Sequence, residues 1–115
     1  MKYTGGCHCQ KLRFEVEANI ENLLACNCSI CGKKGHLLTF VPDSQFKMLT
    51  STETLSDYQF GKKNIHHHFC SNCGVSAFGA GSMPDGTKMR SINARCLDGL
   101  DVTKFPVHHY DGASL

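Results

Sequence analysis

Tryptophan is absent, and no apolar run approaches the roughly 20 residues that a bilayer-spanning helix requires. A membrane partner is therefore not expected. Charge of one sign is also missing. Twelve Lys and Arg against ten Asp and Glu leave +2 over 115 residues, too little by itself to argue for nucleic acid or a membrane surface. The opening Met1-Lys2-Tyr3-Thr4-Gly5-Gly6 lacks the apolar core of a secretion signal, which points to a reducing, cytoplasmic setting where thiols stay free. There is no linker, internal repeat or low-complexity stretch. With 41% hydrophobic residues, the chain is expected to form one globular domain over residues 1–115.

Helical periodicity is nearly absent too, and what replaces it is a series of short strand signals. Leu12, Phe14 and Val16 alternate with Lys11, Arg13, Glu15 and Glu17, the pattern of a strand with one wet face. Further strands are expected over 36–41, ending at Pro42-Asp43, over 46–49, 55–60 and 64–69 with a hairpin turn at 61–64, then over 76–81 and 89–94 around the Pro84-Asp85-Gly86 turn. Short helical turns are expected at 28–34 and 100–104. The class that follows is all-β, built of short antiparallel strands with helical caps.

What the chain has in excess is cysteine. Seven of eight fall in three tight groups: Cys7-His8-Cys9, Cys26-Asn27-Cys28-Ser29-Ile30-Cys31 and Cys70-Ser71-Asn72-Cys73. A disulfide framework fares poorly, because Cys7 and Cys9 are too close in sequence to bridge easily and nothing indicates export. A thioredoxin-like role for Cys28-Ser29-Ile30-Cys31 would need a βαβ context that the strand pattern does not supply. Zinc suits the spacing better, since closely set thiolates on a tight turn reach one ion without strain. Pairing Cys7 and Cys9 with Cys70 and Cys73 closes one four-sulfur shell, which would staple the first strand to the middle of the sheet. Cys26, Cys28 and Cys31 would then hold a second ion with a coordination position open, and an open shell is where chemistry can occur. Spacing alone also permits Cys26 and Cys28 to join another pair.

The remaining polar residues admit two readings each. Cys96 reads as a small packed side chain, or as a fourth ligand closing the triplet. His66, His67 and His68 alternate along a strand, so the middle one takes the opposite face. They form a wet surface, or one of them carries protons beside the open ion. His8 reads as a turn residue turned from the metal, and His108 and His109 as possible pocket walls. Lys33 and Lys34 are ordinary loop lysines, or they offset the negative charge of a thiolate-rich centre. Arg90 and Arg95 are candidates for holding substrate carboxylates.

In order along the chain, Gly6-Cys7-His8-Cys9, Cys26-Asn27-Cys28-Ser29-Ile30-Cys31-Gly32-Lys33, Phe69-Cys70-Ser71-Asn72-Cys73-Gly74 and Ile92-Asn93-Ala94-Arg95-Cys96-Leu97-Asp98-Gly99 resemble the glutathione-dependent formaldehyde-activating enzyme (Gfa) family, which includes the centromere protein V relatives. The resemblance implies a zinc-stapled Mss-like fold (a β-tent) and two zinc ions, a structural one on Cys7, Cys9, Cys70 and Cys73 and a catalytic one on Cys26, Cys28 and Cys31. It implies a carbon–sulfur lyase that joins glutathione and formaldehyde into S-hydroxymethylglutathione. Gln10 departs from it, standing where the family often has Gly. The competing expectation from another class is a non-catalytic zinc module that binds a protein partner, with Cys96 closing the triplet.

Overall fold

The computed structural model describes residues 1–114, so the last residue of the expected domain, Leu115, lies outside the described residues. Among them, ten strands and one short helix form two sheets. The smaller sheet has β1 (Lys2–Gly6), β2 (Arg13–Glu17) and β5 (Phe46–Met48), with β2 central and both pairings antiparallel. The larger contains β3 (Leu23–Cys26), β4 (Leu38–Pro42), β6 (Leu55–Tyr58), β7 (Ile65–Cys70), β8 (Phe78–Ser82), β9 (Lys88–Asn93) and β10 (Val107–Tyr110). Its order is β10-β3-β4-β9-β8-β7-β6. The helix, α1 (Cys31–Lys34), is a single turn between β3 and β4.

The alternation read from residues 12–16 sets the core. Leu12, Phe14 and Val16 are buried, while Arg13 and Glu15 are only partly covered and Glu17 is exposed. Phe14 meets Phe46 and Phe78 with ring centroids 5.3 and 5.5 Å away, and Phe46 and Phe78 are 4.8 Å apart. This triad joins the two sheets; the buried Phe14 and Phe78 each contribute about 2–3 kcal/mol by area and the partly buried Phe46 less, with about 1 kcal/mol more per well-set ring pair. Arg90 lies over the Phe46 ring at 4.5 Å and bonds Asp43 Oδ1 at 2.7 Å. It is thus committed to packing, and the reading of Arg90 as a substrate clamp does not hold. Arg95 is exposed.

The expected strands are present within a few residues of their bounds, and Pro42 ends β4 as its last residue instead of stopping it beforehand. Three strands were not expected. β1 carries two glycines and no apolar alternation, β3 reads Leu-Leu-Ala-Cys, and β10 reads Val-His-His-Tyr with three exposed residues. One pairing also departs from the antiparallel expectation: β10 runs parallel to β3, from Val107↔Leu23 to Tyr110↔Cys26. A parallel partner needs a long crossover, and here 80 residues of chain lie between the two strands (positions 27–106).

Candidate metal centre and the adjoining cleft

Cys7 and Cys9 lie in the turn joining β1 to β2, which closes through Cys7 N–H to Leu12 O at 3.1 Å and Gln10 N–H to Cys7 O at 3.3 Å. Gln10 holds the turn at φ 70°, the left-handed region that favours glycine. Its side chain is anchored on both sides, donating from Nε2 to Cys7 O at 3.0 Å and accepting from Arg13 Nη1 at 2.9 Å. Cys70 ends β7, and Cys73 follows in a turn closed by Gly74 N–H to Cys70 O at 2.7 Å. The four sulfurs all lie within 4.8 Å of one another, among Leu12, Met48, Leu55 and Val75. The group therefore joins the small sheet to the large one at β7.

Cys26 ends β3, Cys28 sits in the following turn, and Cys31 opens α1. Their sulfurs also lie within 4.8 Å of one another. The Cys28 amide donates to Cys26 Sγ at 3.4 Å and the Cys31 amide to Cys28 Sγ at 3.5 Å. His36 Nε2 is 3.3 Å from Cys31 Sγ. From the other side the C-terminal segment packs down. Asn27 Nδ2 donates to Asp111 Oδ1 at 2.9 Å, and Asn27 Oδ1 accepts from the Ala113 amide at 3.0 Å. A Cβ built on Gly112 would sit 2.6 Å from Cys26 Sγ, so the backbone reaches the cluster only because no side chain intervenes.

Both groups fit a zinc ion on the chemistry of their donors. A tetrahedron with roughly 2.3 Å zinc–sulfur bonds puts its sulfurs about 3.8 Å apart. Cys7 and Cys9 are 3.6 Å apart, and Cys9 and Cys70 are 3.7 Å apart. All eight cysteines are free thiols. Beside Cys70, the buried Thr54 hydroxyl has no hydrogen-bond partner within the ordinary distance and points to a sulfur acceptor. The acidities are uneven. Burial opposes ionisation of Cys28, but amides of Cys31 and Ile30 outweigh it and hold the thiol below its ordinary range. Burial, then the Cys28 sulfur, pushes Cys31 up to about 12. At Cys70 burial is again outweighed, here by the Cys73 amide first, and the thiol falls to about 6. Sulfurs this close cannot all ionise without a cation among them.

Cys96 lies in the one-turn 3-10 helix Ala94–Cys96 and does not join the triplet. Burial pushes its thiol up to about 11, and the charges it feels most are those of Cys7 and Cys73, in the other cluster. Cys96 therefore does not close the triplet: it packs against the core cluster that contains Phe14, Phe78 and Leu97.

A cleft lies beside the residues that flank Cys31, lined by Ile30, Lys34 and His36 and by none of the three cysteines themselves. Its outer trough, about 350 Å³, is walled by Ile30, Tyr58, His67 and Phe69, with Lys34, Asp57 and Ser76 as its other polar residues. An inner cavity of about 20 Å³ is lined by residues including Lys34, His36, His67, Ser76, Ser91 and Asn93. Lys34 is half-buried, and that burial lowers its pKa, whereas Lys33 is exposed. His66 and His68 share a face, their rings stacked 5.7 Å apart, with His66 Nδ1 2.6 Å from Asp57 Oδ2. His67 takes the other face, as the alternation requires. His8, His108 and His109 are exposed. His36 and the Asp111-Gly112 segment escaped the sequence reading. The only signal for His36 was its place between a cysteine group and an apolar run.

A family model described as glutathione-dependent formaldehyde-activating enzyme matches residues 2–111. The chain belongs to this family. Membership implies an enzyme that acts on glutathione and formaldehyde, and the cysteine groups of this Gfa member are able to hold metal. Among solved structures, the Gfa chain is similar to a crystal structure of a Rhodobacter sphaeroides protein. The two share 25% identity and a TM-score of 0.79 over 91% of this chain and 99% of that one.

Proposed function

We propose that the chain is a two-zinc carbon–sulfur lyase, a single cytoplasmic domain over 1–115 with the Mss-like β-tent fold, which joins glutathione or a related thiol to formaldehyde. The observation that carries the proposal is the asymmetry of the two sulfur clusters. One gathers four sulfurs at a joint between sheets, and the other gathers three beside a cleft. Cys7, Cys9, Cys70 and Cys73 hold the structural ion. Cys26, Cys28 and Cys31 hold the catalytic one and act as ligands, not as covalent nucleophiles. Zinc bound there would supply an open coordination position and favour the thiolate form of an incoming sulfur.

The chain's own residues do the rest. The Cys28 and Cys31 amides donate to two of the three ligand sulfurs and fix their lone pairs. Asn27 clasps the C-terminal segment beside the cluster through two hydrogen bonds, to Asp111 and Ala113. Lys34 sets a positive charge on the cleft wall, which attracts the carboxylates of a glutathione-like thiol and offsets the negative charge that three thiolates leave on a divalent ion. Addition of the sulfur to the carbonyl carbon forms the C–S bond, and the reverse step breaks it.

X-ray absorption with metal analysis tests the reading. Two zinc ions per chain are expected, one with four sulfurs and one with three plus a lighter atom. A sulfur-saturated second ion would instead favour a non-catalytic interaction module. Glutathione titrated by calorimetry should bind the wild-type chain and lose affinity for Cys28→Ser; equal binding to both contradicts the assignment.

A further inference from the structure

We infer that the cleft beside the three-cysteine cluster is a two-compartment substrate site, the inner cavity taking the one-carbon carbonyl and the outer trough the body of the thiol, with His67 between them as the residue that carries the proton. The inference rests on the lyase reading above and adds to it the acid–base residue and the seat of each reactant.

His67 is held by strand pairing on both sides, to Tyr58 of β6 and to Gly79 of β8. Its neighbours in sequence are turned away and engaged elsewhere, His66 with Asp57 at 2.6 Å and His68 toward the Ser56 carbonyl at 3.4 Å. The His67 ring instead stacks on Phe60, with centroids 5.4 Å apart at 20°, which fixes its plane at the wall of the cleft. Among the described residues, only His67, Lys34 and Ser76 border both compartments.

The compartments differ in size and in chemistry. An inner volume of about 20 Å³ is close to what a single water-sized group needs. Its walls set apolar Leu38 and Phe78 beside hydroxyl, amide and imidazole groups, which suits a carbonyl carbon and its oxygen and leaves no room for an alkyl tail. His36 lines this cavity and stands 3.3 Å from Cys31 Sγ, so one imidazole links the cavity to the sulfur cluster. The outer trough is larger and walled by Ile30, Tyr58 and Phe69, with Lys34 and Asp57 as its charged residues, one for each charge sign of an extended zwitterionic thiol.

The proton balance is closed within the site. The thiol S–H gives its proton to the neutral His67 imidazole. The sulfur pair forms the C–S bond while the carbonyl π pair moves onto oxygen, and the imidazolium returns its proton to that oxygen. Nothing is oxidised or reduced, and no co-reactant is needed. The surroundings favour a neutral starting imidazole: burial first, then Lys34 of α1, with His66 and His68 of its own strand in the same direction and Asp57 of β6 opposing. His36 after α1 and Tyr58 of β6 complete the groups that face it.

The test is exchange NMR of carbon-13 formaldehyde with the S-hydroxymethyl adduct of glutathione, read above the uncatalysed rate, on the zinc-loaded chain. His67→Gln should lower the maximal rate by about 100-fold or more and abolish the acidic limb of the pH–rate profile, while keeping both zinc ions and glutathione affinity within about two-fold. His66→Gln, on the opposite face, should stay within about two-fold of wild type. Gly79→Ala places a Cβ 2.6 Å from Ser91 Oγ and should raise the formaldehyde KM without changing glutathione affinity. A His67→Gln chain that keeps its zinc and runs within about three-fold of wild type overturns the inference alone. If that variant loses zinc, an unchanged formaldehyde KM in Gly79→Ala overturns it. A wild-type chain with no acceleration at all overturns both this inference and the lyase reading.

Discussion

A sulfur with three others around it at under 5 Å is stable as an anion only in company with a cation, and that fact separates the two clusters residue by residue. Cys70 is fully buried at the joint between sheets, so Cys70→Ser should lose its ion and destabilise the chain by more than about 4 kcal/mol, visible as a collapsed thermal transition. Cys28 is only half-buried and ties down one turn and the C-terminal segment; Cys28→Ser should bind one zinc and melt as a folded protein. Equal unfolding of the two would remove the division of labour. Gly112→Ala is a finer probe, since its methyl would press on Cys26 Sγ from 2.6 Å. Loss of the second zinc with a melting temperature within a few degrees of wild type is the expected result, checked by metal analysis and calorimetry. The cysteines were legible because ligand spacing is local, a matter of two or three residues on one turn. His36 and Gly112 were not, because each becomes a neighbour of sulfur only after distant segments have folded together.

At the scale of elements, β1, β2 and the segment after β9 are locked by one polar knot. Arg13 pairs with Asp98, and Thr4 Oγ1 donates to Asp98 Oδ2 at 2.8 Å. Arg13 chiefly, then Thr4, holds the Asp98 carboxyl below its ordinary pKa of 3.8. A depressed carboxylate pKa stabilises the fold above the unfolded value and ceases to do so as pH falls through the folded one. Since Asp98 is about half exposed, solvent screening limits the contribution to about 0.5–1 kcal/mol. Asp98→Asn should therefore cost that much in urea melts, by the same amount at pH 5 and pH 8; a slope between them would point to another group. Strand identity followed legibility of pattern. The Leu12, Phe14 and Val16 alternation announced β2, whereas β10 is a polar edge strand that exists because β3 offers it a free edge. Such an edge is a property of the assembled sheet and leaves no mark on the four residues that join it.

For the whole molecule, the all-β class could be read from turns and alternation, but the split into two sheets could not, since strand order depends on contacts far apart in sequence. The Phe14, Phe46 and Phe78 triad and the four-cysteine group are two of the joints across that split. Chelator titration should consequently show two phases. The ion at the triplet leaves first with the far-UV spectrum unchanged, and the second leaves together with the fold. Acidification from pH 7 to about 5 should hasten both phases, because ligand thiolates compete with protons. Release in the opposite order would contradict the assignment of structural and catalytic centres.

The parallel embrace of β3 by β10 carries a consequence for synthesis. As the chain leaves the ribosome, Cys26, Cys28 and Cys31 emerge about 80 residues ahead of the strand and the Asp111–Ala113 stretch that pack beside them. Over that interval the nascent polypeptide carries three thiols without this cover, which arrives only when β10 pairs with β3.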